Sequence, residues 1–491
     1  MNNFSRERFK TGEEYSRALF FLSPFIFLFS ISLFQVLNLT LFQGDKYQTI
    51  AESNRIYQKP ISPVRGFIYD RNGTLLAENI VQRDLYVTPA YIEDSAETIL
   101  KLSNLLDVPY ELLDENFSRG VKKVKKFDSF PLVKALNEEQ IAKAKVNLDS
   151  ISGIEVKATL KRYVLHEETL AHVLGYVGDI SSGDIRRDKL LAELQNTQIG
   201  KTGIEKEFDY VLRGKPGIQT QERDVKGKLV RILDTQGAED GKDIYLTIDQ
   251  KLQEHLFKLF ENRRGALVAL EPKTGLVRAL ISSPSFNPNI LNSILDTDEV
   301  ESLFSNKESP IFNRAISGQY PPASTLKPFV GLAAIENEVI SWDKKIKDDG
   351  EFYVEGDPRP YRGWKENGHG RVDMRKAIAE SSDVYFYNIA FDLTLAGIRP
   401  MLDSFGFGKK TGLTDFEANG LLPDKKWKLG YKGDFWFKGD TINLGIGQGY
   451  ILATPLQLAM AYSGLANKGV IYQPQFIPVS YTHLRAHETQ S

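Results

Sequence analysis

Pro321-Pro322-Ala323-Ser324-Thr325-Leu326-Lys327-Pro328 runs without interruption into Phe329-Val330-Gly331-Leu332-Ala333-Ala334-Ile335, and its reading decides the architecture of the C-terminal half. The second segment has no polar face, which predicts a helix buried inside a domain. Pro328 lacks an N–H and sits comfortably only near a first turn, so the helix starts close to Ser324. The serine then lies at the positive end of the helix dipole, beside backbone N–H groups able to hold a developing oxyanion. Lys327 follows at i+3 on the same face. A partly desolvated ammonium there loses basicity, and the neutral amine can accept the Ser324 proton. On local pattern alone the residues read equally well as an N-cap serine followed by a surface lysine. A second Ser-x-x-Lys, Ser341-Trp342-Asp343-Lys344, lies among Lys345, Lys347, Asp348 and Asp349 and reads as solvated surface.

Downstream, Arg375-Lys376-Ala377-Ile378-Ala379-Glu380 leads to Ser381-Ser382-Asp383 and then to Val384-Tyr385-Phe386-Tyr387. A Ser-x-Asp between two helical stretches can present Ser381 and Asp383 to one cleft. The hydroxyl would relay a proton and the carboxylate would fix a lysine or a substrate amide. By itself the pattern is an ordinary helix cap. Lys410-Thr411-Gly412 lies only 27 positions beyond Asp383, flanked by glycine-rich turn chemistry without a strand-like run. A Lys-Thr-Gly that clamps an extended peptide must lie on a strand bordering the cleft, so this copy reads as a connecting loop.

At 491 residues the chain is long enough for two or three domains. Its 62 Lys+Arg against 64 Asp+Glu make no bulk electrostatic case for a nucleic-acid partner. The absence of cysteine excludes disulfides, thiol catalysis and Cys-ligated zinc. Between Arg17 and Asp45 there is no charged residue or histidine, and about 20 such residues suffice to cross a bilayer core. Arg6, Arg8, Lys10 and Arg17 precede that run, which places residues 1–17 in the cytoplasm, a single uncleaved transmembrane helix at 18–42, and the remainder outside.

Residues from about 45 to 235 alternate short apolar runs with Gly- and Pro-punctuated turns, as in an α+β extracytoplasmic domain. The charged stretch from Asn116 to Asp149 reads as exposed helices. Arg65–Ala77 reads as strand, Asn72-Gly73 turn, strand, and Asp243–Asp249 as a strand feeding a helix from Gln250. Gly265–Leu270 and Leu276–Ile281, joined by Glu271-Pro272-Lys273-Thr274-Gly275, form an expected antiparallel hairpin opening a second domain.

Ser-x-x-Lys with a Ser-x-Asn-like element and Lys-Thr-Gly is the signature of penicillin-binding proteins and serine β-lactamases. Over about residues 18–478 the chain resembles the class B penicillin-binding proteins of the elongation type. The blocks that carry this are Arg65–Gly73, Ala171–Gly178, Gly203-Ile204-Glu205-Lys206 with Leu212–Gly217, Asn313-Arg314-Ala315, Gly368-His369-Gly370 and Gly445–Tyr450. Asp383, where division-type relatives usually carry Asn, together with Trp364 points to the elongation type. The resemblance implies a multidomain protein: the anchor, a pedestal domain at 43–235 and an α/β transpeptidase domain at 240–478, its antiparallel sheet covered by helices on both faces.

It further implies Ser324 as acyl-accepting nucleophile, Lys327 as its base, and Ser381 and Asp383 as the second motif. The activity it implies is serine D,D-transpeptidation of peptidoglycan stem peptides during cell-wall elongation and shape maintenance, with β-lactams as inhibitors. A D,D-carboxypeptidase or β-lactamase-like hydrolase is the first alternative. A mainly non-catalytic activator of a SEDS-family glycan polymerase is the second. Expected partners are stem peptides, β-lactams, a SEDS-family polymerase with other elongation-complex proteins, and the inner membrane, with the catalytic domain periplasmic. No cofactor is expected. Some members hold zinc through two Asp, a His and a Cys; Asp348 and His369 match two of those places, Gly363 and Ser382 take the others, and no metal is expected here. The family's Lys-Thr-Gly strand follows later than Pro478, so the transpeptidase domain is expected to be incomplete in this chain. Residues 479–491 match no family block, read as an adapter-like, non-native tail and are set outside the fold.

Overall fold

The computed structural model describes residues 56–478 apart from 123, 125, 148–150, 189–190, 192–197, 225–228, 262 and 293–296, and before them residues 20, 22, 24–25 and 27–38. The described part of the expected anchor is helical, with Phe20, Phe25, Phe27, Phe29 and Phe34 exposed. Among the described residues no helix is long and apolar enough to cross a membrane. The rest of 18–42, and all of 479–491, lie outside them.

The described chain divides into two compact units. Strand β1 (Ile56–Ile61) belongs to the smaller. In the larger unit, β2 (Ile68–Tyr69) turns back into β3 (Leu75–Val87) as expected. The turn is built on the buried Asp70, whose carboxylate accepts from the N–H groups of Asn72 and Thr74 at 2.7 and 2.8 Å, while Gly73 takes φ 83°. Helices α1 (Ser95–Leu106) and α2 (Tyr110–Val121) follow, then β4 (Phe130–Val133), α3 (Glu138–Asn147) and β5 (Ile154–Val164). Here the structure departs from the expectation of helices alone between Asn116 and Asp149. Phe130, Leu132 and Val133 are buried, and β4 pairs with the far end of β3 over a core of Ile99, Leu102, Leu106 and Leu113. Only the apolar side chains of this four-residue run explain its insertion into a charged stretch.

An ion network fastens this region internally. Glu205, fully buried, accepts from Arg65 Nε and Arg162 Nε, both at 2.6 Å, and Asp209 takes Arg65 Nη1 at 2.9 Å. Burial opposes ionisation of Glu205, but the two guanidiniums outweigh it and hold the carboxyl below its ordinary range.

Strands β6 (Gly217–Arg223) and β7 (Leu229–Gln236) join β1 in the smaller unit as a three-stranded antiparallel sheet of order β1-β6-β7. Every residue of β7 is exposed, and Arg223 lies 3.5 Å over the Tyr57 ring.

Back in the larger unit, β8 (Ile244–Tyr245) pairs in parallel with β2, and Asp249 caps α4 (Gln250–Lys258). Strands β9 (Gly265–Leu270) and β10 (Val277–Ser283) form the expected antiparallel hairpin. The buried Gln253 of α4 accepts from Leu280 N at 2.9 Å and donates to Leu280 O at 2.7 Å, so a side-chain amide occupies the backbone groups of β10. Ile68, Leu76, Leu170 and Ile204 share one buried cluster with Val277, Leu280, Leu456 and Phe476, so this core draws on both ends of the described chain.

The second core surrounds α5 (Lys327–Glu336), the helix read from the opening stretch. Phe329, Val330, Ala333 and Ala334 are all fully buried, each large apolar side chain contributing about 1.5–3 kcal/mol. Gly331 lets Met374 approach: a Cβ there would stand 2.9 Å from its sulfur. Met374 heads α6 (Met374–Ala379), and α7 (Asp383–Ser404), broken at Thr394, packs on α5. α8 (Lys438–Gly445) packs on α7, and α9 (Pro455–Ala466) packs on β9.

Candidate active site

Ser324, the expected nucleophile, is placed by a strained turn. Ala323–Leu326 form a single 3-10 turn and the α-helix begins at Lys327, so Ser324 lies just ahead of α5. Ala323 takes φ 50°, the left-handed region that a residue with a Cβ seldom enters. Its N–H donates to Gly447 O at 2.9 Å, and a Cβ on Gly447 would come within 2.1 Å of Ala323 O. Gly447 is therefore required by close backbone approach, and Tyr462 adds a bond from its hydroxyl to Thr325 O at 2.8 Å. Ser324 remains exposed in the cleft.

Lys327, read on local pattern as either a base or a surface lysine, is buried with its side chain 1% exposed. Its Nζ donates to Ser381 O at 2.9 Å, to Ser381 Oγ at 3.0 Å and to Asp383 Oδ1 at 2.6 Å. The Ser381 hydroxyl in turn donates to Ser324 Oγ at 2.8 Å. The four residues singled out in the sequence thus meet in one chain of contacts, with Ser381 between Lys327 and Ser324. Burial pushes the Lys327 ammonium below its ordinary pKa, and the hydrogen bond and charge of Asp383 offset only part of that shift.

The second motif is held from both sides. In front, Trp364 donates its N–H to Asp383 Oδ2 and its Nε1–H to Ser381 O, each at 3.1 Å. Behind, β11 (Ile346–Asp348) pairs with β12 (Gly370–Val372) and carries Asp348 to Ser382. Asp348 Oδ2 accepts from Ser382 Oγ at 2.6 Å and from His369 Nδ1 at 2.7 Å, and Oδ1 accepts from Gly350 N at 2.9 Å. Burial raises the Asp348 pKa, but these hydrogen bonds prevail and the carboxyl stays below its usual range.

The remaining motifs lie elsewhere. Ser341 and Lys344 are exposed, as their polar surroundings predict. Lys410-Thr411-Gly412 forms no strand: Thr411 Oγ1 and Gly412 N both donate to Glu417 at 2.6 Å, and Lys410 Nζ donates to Asp415 O at 2.7 Å. The sequence marked Ser382 only as standing where some relatives carry a zinc ligand, and Gly447 figured only inside a block. Closely spaced glycines at 445, 447 and 449 were the available signal for a tight backbone contact. Nothing in the sequence marked Ser382 as a partner of Asp348 in its own right.

The family described as the penicillin binding protein transpeptidase domain matches residues 265–490, and the penicillin-binding protein dimerisation domain matches residues 60–246. The peptidoglycan D,D-transpeptidase MrdA of Acinetobacter baumannii is 37% identical over 445 residues, 90% of this chain and 66% of that protein. MrdA of Escherichia coli K12 is 35% identical over 469 residues, 94% of this chain and 74% of that protein. Among solved structures, Helicobacter pylori PBP2 in its complex with MreC superposes with a TM-score of 0.77 at 30% identity, covering 86% of this chain and 79% of that one. Pseudomonas aeruginosa PBP2 in complex with WCK 5153 gives 0.63 at 31% identity, covering 86% and 73%.

Proposed function

The chain belongs to the penicillin-binding proteins of the PBP2 type, with their dimerisation and transpeptidase domains, and on that premise we propose that it is a serine D,D-transpeptidase cross-linking peptidoglycan stem peptides during wall elongation. The observation that carries the chemistry is the Ser381 hydroxyl shared between Ser324 and Lys327. Ser324 Oγ attacks the penultimate carbonyl of a stem ending in D-Ala-D-Ala. Its proton passes to Ser381 Oγ as Ser381 gives its own to the neutral Lys327 amine. The Ser324 N–H supplies one oxyanion donor. Collapse of the tetrahedral intermediate breaks the C–N bond, and the proton held on Lys327 leaves with D-alanine. An amine from a neighbouring stem then attacks the ester, its proton returning to Ser324 Oγ as the new amide forms. A β-lactam acylates the same oxygen, and its leaving nitrogen stays tethered.

The protein is anchored in the inner membrane by residues 18–42, with its catalytic part periplasmic. The uncharged run, the basic residues before it and the exposed apolar side chains of its described helical positions support this. Its partners are of the elongation-complex class, as in the H. pylori PBP2–MreC complex, together with a SEDS-family polymerase.

Labelling of the full-length gene product with a fluorescent penicillin tests the chemistry. Ser324→Ala is expected to abolish the label and Ser341→Ala to leave it intact; the reverse pattern would overturn the assignment. Supplying an acceptor amine with a D-Ala-D-Ala donor separates transfer from hydrolysis, and exclusive hydrolysis would refute the transpeptidase reading.

A further inference from the structure

The zinc site that some members of the family hold does not fit these residues. A zinc ion asks for about four N, O or S donors with compensating charge. Gly363 offers no side chain, and the Ser382 hydroxyl already donates to Asp348. Both Asp348 oxygens are taken by N–H or O–H donors. The buried His369 Nε2, without a partner among the described residues, is a single nitrogen and cannot hold the ion alone.

We propose that Asp348, Ser382 and His369 form a metal-free clamp in which Asp348 and Ser382 are positioning residues for acyl transfer. Ser381 takes φ 56°, a left-handed conformation that a residue with a side chain keeps only when its surroundings over-determine it. That conformation directs both its carbonyl and its hydroxyl to Lys327. The fully buried Ser382 provides the constraint. Its N–H donates to Ala377 O at 2.9 Å, its Oγ donates to Asp348 at 2.6 Å, and the same Oγ accepts from Tyr385 N at 3.2 Å, capping α7. The peptide after Ser381 is therefore fixed at both ends, between α6 and α7. Asp348 is anchored by β12 and by close backbone contact: a Cβ on Gly368 would meet Asp348 O at 2.1 Å. His369 completes the link, packing edge-on against Trp364 at 5.4 Å, the residue that holds Ser381 and Asp383 from the front. The clamp thus reaches the second motif by two routes, and neither needs an ion.

This inference rests on the transpeptidase reading, and one experiment separates the two. Stopped-flow acylation of the full-length gene product by a fluorescent penicillin is resolved into the affinity of the first complex and the first-order acylation constant, alongside zinc content by mass spectrometry. The wild type is expected to label at Ser324, carry far less than one zinc, and keep its rate in chelator. Asp348→Asn, which preserves shape, and Ser382→Ala are each expected to lower the acylation constant about 10²-fold with the first affinity unchanged. The double variant should be no slower than the slower single one, because both act through one bond. A wild type without label at Ser324 sinks the transpeptidase reading itself. With the label present, stoichiometric zinc, chelator sensitivity, unchanged acylation constants, or loss of affinity in parallel with rate overturns the clamp alone.

Discussion

Ser381 holds its hydroxyl 2.8 Å from that of Ser324 while its own oxygen receives the Lys327 ammonium at 3.0 Å. In the proposed mechanism the lysine therefore acts on Ser324 through another serine. Ser381→Ala breaks the route and leaves Ser324 in place, so penicillin labelling should still occur at Ser324 but slow by about 10²- to 10⁴-fold. Peptide mapping of the slow adduct together with its rate checks this. A rate equal to wild type would mean that Lys327 acts directly.

Acylation should rise with pH, because the neutral amine is the form that accepts a proton. Burial places the midpoint below the ordinary lysine value of 10.5, against the upward pull of Asp383. Asp383→Asn removes that pull, so the midpoint should move to lower pH while the plateau falls through looser positioning. Labelling rates from about pH 6 to about pH 10 read both changes. A midpoint moved upward would contradict the order of effects.

Gly447→Ala should cost about 10²-fold in acylation although the residue has no side chain to contribute. The added carbon would stand 2.1 Å from Ala323 O and force the turn ahead of Ser324 to shift. Circular dichroism should show the helices retained, and a wild-type rate would show that the turn has slack.

Lys410→Ala should leave acylation unchanged, since the Lys410 ammonium is spent on Asp415 O. Thr411→Val, by contrast, removes one donor from the buried Glu417 carboxylate and should lower stability by about 1–3 kcal/mol, read as a drop in Tm. Collapse of labelling in Lys410→Ala would make this loop part of the reacting site.

The sequence was most readable where structure follows from neighbours. The β9–β10 hairpin follows from its turn residues, and the burial of α5 from a run with no polar face. Ser324 and Lys327 could be paired because one helical turn separates them. Bringing Ser381 and Asp383 to them required the family pattern, since no local signal spans that distance. β4 escaped notice because four residues with a proline carry little periodicity. The turn at Ala323 and the bond of Ser382 to Asp348 were equally hidden, for both depend on contacts between segments remote in the sequence.

The core that joins Ile68 and Leu76 to Leu456 and Phe476 also sets a clock for biogenesis. A ribosome adds about 5–20 residues per second, so the early strands are finished on the order of half a minute before the residues that cover them exist. During that interval their apolar faces have only the partial cover that segments such as those of Leu170 and Ile204 bring, in whatever compartment has received them. Newborn chains should depend on holding chaperones in proportion to this delay, and slow translation through the later codons should raise losses to proteolysis.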